Sequence, residues 1–114
     1  MNITETNVTI MVRDMDKAVT FYQSLGLTIK NRWGNHYAQL TAKDIIIGLH
    51  PASGEIIPST QVSIGFMIDD LDGAKALLDG QHIAYSEKSD KAGVFLSFHD
   101  PDGTGIYFNL PNWK

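Results

Sequence analysis

Two stretches of this chain follow one pattern at an offset of 56 residues. Asp14 matches Asp70, and the same offset pairs Val8 with Ile64, Ile10 with Phe66, Val12 with Ile68, Ala18 with Ala74 and Phe21 with Leu77. A repeat of about half the length of a 114-residue chain calls for a fold made of two like units. Each unit opens the same way. In "NVTIMV" residues Val8, Ile10 and Val12 point to one side and Asn7, Thr9 and Met11 to the other, so this reads as a strand with one apolar face. Asp14 is then a natural helix N-cap and Gly26 a natural stop. Ala18, Phe21, Tyr22 and Leu25 fall on one helical stripe between them. The second copy, "VSIGFMIDDLDGAKALLDG", again gives strand, Asp cap, helix and glycine stop. Val62, Ile64, Phe66 and Ile68 face one way; Ser63, Gly65 and Met67 face the other.

Three further strands are expected after the first helix, over about residues 27–33, 36–42 and 45–50. In the last of them Ile46, Gly48 and His50 share a face. "PASGEIIPSTQ", residues 51–61, has the prolines, glycine and small polar residues of a linker. The expected architecture is α+β. Two tandem βαβββ modules, about 5–50 and 62–110, form one domain over residues 1–114, with a cupped mixed sheet and the helices outside. The less apolar strand faces line the cup.

Composition narrows the class of function. Hydrophobic residues make up 43% of the chain, enough for a core. A net charge of −4 without a run of Lys and Arg excludes the basic stripe that nucleic acid requires. The chain has no cysteine, and so no disulfide, thiolate metal site or cysteine nucleophile. "MNITETNVTI" has neither the basic start nor the apolar core of a signal peptide, and no stretch approaches the roughly 18 apolar residues of a membrane span. A cytoplasmic protein is expected.

With "VTIMVRDMDKAVTFYQSLGL", "IIIGLHP", "VSIGFMIDDLDGAKALL" and "DPDGTGIYF" in this order, the chain resembles the vicinal oxygen chelate superfamily over about residues 5–110. That superfamily includes glyoxalase I, bleomycin-resistance proteins, fosfomycin-resistance enzymes and extradiol dioxygenases. The resemblance implies two βαβββ modules, commonly assembled as a homodimer. In metal-using members it implies one metal ligand, usually His, Gln or Glu, from each of four strands. Carried onto this sequence, those positions fall on Asn7, Gly48, Ser63 and Tyr107. These supply an amide, nothing, a neutral hydroxyl and a phenol, where a divalent ion wants carboxylate or imidazole. No metal and no other cofactor is therefore expected. The expected function is metal-independent binding of a small organic molecule by Asn7, Met11, His50, Ser63, Met67, Tyr107 and Asn109, with no nucleic-acid or membrane partner. The alternative is a lyase, isomerase or other enzyme of the superfamily with a non-standard or metal-free site. There His50 is the general base and Tyr107 the acid or oxyanion donor.

The remaining polar residues have plain backbone roles. Asp100–Gly103 suits a β-turn, Asp70 a helix cap, and Asp69 a solvated strand end. His36 belongs to a hairpin, His82 to a surface loop, and His99 is expected to brace the turn after it. Trp33 and Phe95 are candidates for an aromatic pocket wall, and Trp113 for a cap over a pocket or an interface.

Overall fold

A computed structural model describes residues 1–59 and 61–112, so Trp113 lies outside the described residues. The chain forms two compact units, Met1–Ile57 and Pro58–Lys114. The first contains β1 (Asn7–Val12), α1 (Met15–Ser24), β2 (Thr28–Trp33), β3 (Tyr37–Ala42) and β4 (Ile45–Pro51). The second contains β5 (Ser63–Met67), α2 (Leu71–Gly80), β6 (Ser86–Asp90), β7 (Gly93–His99) and β8 (Gly105–Pro111). Each unit is a βαβββ module with its own four-stranded sheet, ordered β1-β4-β3-β2 and β5-β8-β7-β6. In both sheets the first strand pairs parallel with the last, and the other pairings are antiparallel. The repeat in sequence is thus a repeat of topology.

Capping sets the helix starts. Asp14 and Asp70 have extended backbones, and their carboxylates accept from Lys17 N at 3.1 Å and Gly73 N at 2.9 Å. Gly26 follows α1 with φ +104° and ends it as expected. The second stop differs. Gly80 is the last helical residue, Gln81 is the C-cap, and the left-handed position falls to His82 at φ 57°. The buried stripe of α1 is also rotated from the expected one. Met15, Ala18, Val19 and Tyr22 are buried, while Phe21 and Leu25 stay half-exposed at its margin. The strand before the linker runs one residue past the expected end, to Pro51.

One face of each sheet carries the core. In the first unit Val12, Ala38, Leu40, Ile47 and Leu49 are completely buried together with Tyr22 of α1. In the second, Leu96, Phe98, Ile106 and Phe108 are buried with Ala74 and Leu78 of α2. Each large apolar side chain so buried contributes about 1.5–3 kcal/mol. Lys75 on α2 reaches Glu87 on β6, Nζ to Oε1 at 2.7 Å, and Arg32 on β2 reaches Asp16 on α1 at 2.6 Å. No helix among the described residues is long and apolar enough to cross a membrane.

Candidate functional site

Strand alternation leaves the second face of each sheet free of its helix, and the sequence-derived candidates lie there. In the first unit the register aligns Thr9 with Gly48 and Met11 with His50, and Asn7 stands on the same side of β1. Thr9 Oγ1 donates to Asn7 Oδ1 at 3.3 Å, so the Asn7 amide oxygen is engaged within its own strand. Gly48 is not simply vacant. A Cβ built there would lie 2.5 Å from Tyr37 Oη and 3.1 Å from Thr9 Oγ1. The absent side chain is what admits the Tyr37 phenol onto β4. Tyr37 in turn lies nearly parallel to Trp33, with ring centroids 5.7 Å apart at 19°, and 6.4 Å from the His50 ring.

His50 is exposed at the end of β4, and its Nδ1 lies 2.8 Å from the carbonyl oxygen of Pro51. A carbonyl can only accept, so Nδ1–H is the donor in this contact and Nε2 is the ring nitrogen left to face outward. His36 is exposed in the β2–β3 turn, where its backbone N–H donates to Trp33 O at 2.9 Å. Among the described residues no three side chains from His, Asp and Glu come together in a way that could hold a metal ion.

The second unit repeats the device with other residues. Ser63, Gly65 and Met67 of β5 align with Gly105, Tyr107 and Asn109 of β8. The Tyr107 ring lies across Gly65, and a Cβ at Gly65 would collide with its Cζ, Cε2 and Oη. Phe95 of β7 aligns with Asn109, and its ring centroid is 6.0 Å from that of Tyr107. Asn109 is 5% exposed, and its Oδ1 is buried without a hydrogen-bond partner. Met67 beside it is 57% exposed. Ser63 and His99 flank Gly105 and line an open depression of about 430 Å³ with Pro58, Ser59, Val62 and Gly103.

His99 does not brace the turn that follows it. Asp100 does: 5% exposed, its Oδ1 accepts from the backbone N–H of Asp102 and of Thr104, both at 2.9 Å. An Asp side chain can reach the amides two and four residues on, whereas the His99 side chain stands on a strand and projects from the sheet.

Sequence reasoning overlooked Tyr37. Its alternation with Gln39 and Thr41 places it on the open face, but its approach to Gly48 depends on a pairing between β3 and β4 that periodicity does not contain.

The family model of the glyoxalase/bleomycin resistance protein/dioxygenase superfamily matches residues 6–108. An uncharacterized protein of Mycolicibacterium smegmatis is 25% identical over 114 residues, covering 91% of this chain and 90% of that protein. A mutant of the fosfomycin resistance protein FosX from Listeria monocytogenes, complexed with Mn(II) and a dihydroxypropylphosphonic acid, superposes with a TM-score of 0.82. Its identity is 16%, and the match covers 97% of this chain and 93% of that one. Lactoylglutathione lyase from Agrobacterium tumefaciens gives a TM-score of 0.74 at 18% identity, covering 96% and 92%. At these identities the two structural matches speak to fold.

Proposed function

This chain belongs to the glyoxalase/bleomycin resistance protein/dioxygenase superfamily, and from that membership we propose that it binds a small organic molecule without a metal, as a homodimer. The observation that carries the reading is Tyr107. By resemblance Tyr107 falls where metal-using members carry a carboxylate on the last strand, and its phenol lies over Gly65. Its companions are as poor in metal donors. The Asn7 amide oxygen accepts from Thr9, Gly48 is covered by the Tyr37 phenol, and Ser63 offers a neutral hydroxyl. Neither unit's donors fit a divalent cation. Each helix-free face does fit a ligand held by apolar burial and neutral hydrogen bonds, with Met11 in the first unit and Met67 in the second as adaptable walls.

The experiment is elemental mass spectrometry of untagged protein purified without chelator, followed by a small-molecule screen by thermal shift. Far less than one divalent ion per chain is expected. Replacing Tyr107 by Phe should then weaken the ligands found by about five- to ten-fold, the worth of one neutral hydrogen bond. A stoichiometric ion would overturn the reading.

A second reading, metal-free catalysis with His50 as general base, is favoured by one contact. The Nδ1 bond to Pro51 O holds the ring in the tautomer that leaves Nε2 basic. His50→Gln separates the two readings, because it abolishes turnover in an enzyme and costs a binder about one hydrogen bond, five- to ten-fold in affinity.

A further inference from the structure

Asn109 is a polar side chain in an apolar setting. It stands on β8 between Met67 of β5 and Phe95 of β7, and its neighbour two residues back is Tyr107. Its Oδ1 is buried and receives no hydrogen bond. The backbone around it is satisfied: Asn109 O accepts from Ile68 N at 2.9 Å. A buried acceptor left unpaired is costly, and native structures supply a partner, from solvent or from a ligand. The surroundings favour a ligand. Phe95 and Tyr107, with centroids 6.0 Å apart, offer aromatic surface beside the amide. Met67, level with Asn109 on β5, is unbranched and more than half exposed, so it can adapt to a ligand there.

We propose that Asn109 determines specificity on this sheet face, accepting a hydrogen bond from an N–H or O–H group of a planar aromatic ligand that packs against Phe95 and Tyr107. The inference rests on the small-molecule reading above and names the class of ligand. The selection works by contrast. A ligand with a donor satisfies Oδ1, whereas a ligand of the same shape without one seals the carbonyl in a drier place with nothing to bond.

Matched pairs of probes test this directly: indole against 1-methylindole, and 2-naphthol against 2-methoxynaphthalene. Affinities come from ligand-detected NMR, and the Asn109 side-chain amide resonances report the contact. The donor-bearing member of each pair should bind about ten-fold or more tightly than its methylated partner and shift the Asn109 amide signals. Asn109→Leu should erase the preference while the folded spectrum persists. The comparison on the unmodified protein stands by itself should that variant fail to fold. Equal binding within each pair, or a preference that leaves the Asn109 signals unmoved, overturns the role of Asn109 and leaves small-molecule binding intact. Failure of all four probes to bind overturns the inference in favour of a core amide satisfied by water. The wider reading then falls only if the general screen is also empty.

Discussion

At the scale of single residues, the two tyrosines on the open sheet faces depend on the two glycines beneath them. Tyr107 can lie across β5 only because residue 65 lacks a Cβ, and Tyr37 can reach β4 only because residue 48 does. Gly65→Ala should therefore destabilise the protein by about 1–3 kcal/mol, the usual cost of forcing extra volume into a packed contact. In the Tyr107→Ala background the same change should cost much less. A double-mutant cycle by urea denaturation reads that coupling, and simple additivity would show that the ring moves away freely. Half of this arrangement was legible in the sequence. Alternation put Asn7, Gly48, Ser63 and Tyr107 on the helix-free faces, because side-chain direction in a strand is a local property. The identity of what covers each glycine was not legible. It depends on which strand lies alongside, and Gly48 reads as an absence until β3 is paired with β4.

Among the elements, the strand–cap–helix openings were the most legible, because each is written in consecutive residues: alternation, then Asp14 or Asp70, then an apolar stripe. The stop of α2 was less so, since Gly80 and His82 both tolerate the end of a helix and the chain uses the histidine. What binds α2 to the outer strand of its sheet was not legible, because Lys75 and Glu87 are distant in sequence and both look like ordinary surface charges. Their contact has a pH signature. The hydrogen bond to Glu87 raises the Lys75 ammonium above its ordinary pKa of 10.5. A cation favoured in the folded state stabilises it fully below its unfolded pKa, and that contribution disappears as pH rises through the raised value. The thermal midpoint of the parent should thus exceed that of Glu87→Gln near neutrality, by the small margin of an exposed pair. The two should converge well above pH 10.5. A gap that persists at high pH would assign the effect to packing of the Glu87 stem.

Over the whole molecule, charge and candidate site are kept apart. The chain carries 9 Lys and Arg against 13 Asp and Glu. Its described ion pairs join Lys30 to Glu5, Arg32 to Asp16 and Lys75 to Glu87, none of them candidate ligand-binding residues. On the open face of the second unit the register places formal charge only at the outer strand, where Lys88 and Asp90 oppose each other in sign. The candidate positions are amides, hydroxyls, thioethers, aromatic rings and one imidazole. Two modes of binding a small molecule predict different salt dependence from this distribution. An acidic surface that collects a cationic compound works through charge, and its hold weakens as the Debye length shrinks from about 10 Å at 0.1 M salt to about 3 Å at 1 M. Neutral hydrogen bonds and apolar burial are nearly indifferent to that change. Ligands bound by this protein should therefore keep their affinity, measured by calorimetry, within about two-fold across that range. A ten-fold loss would move the site from the neutral sheet faces to the acidic surface, and would make the net charge of −4 the operative feature of the molecule.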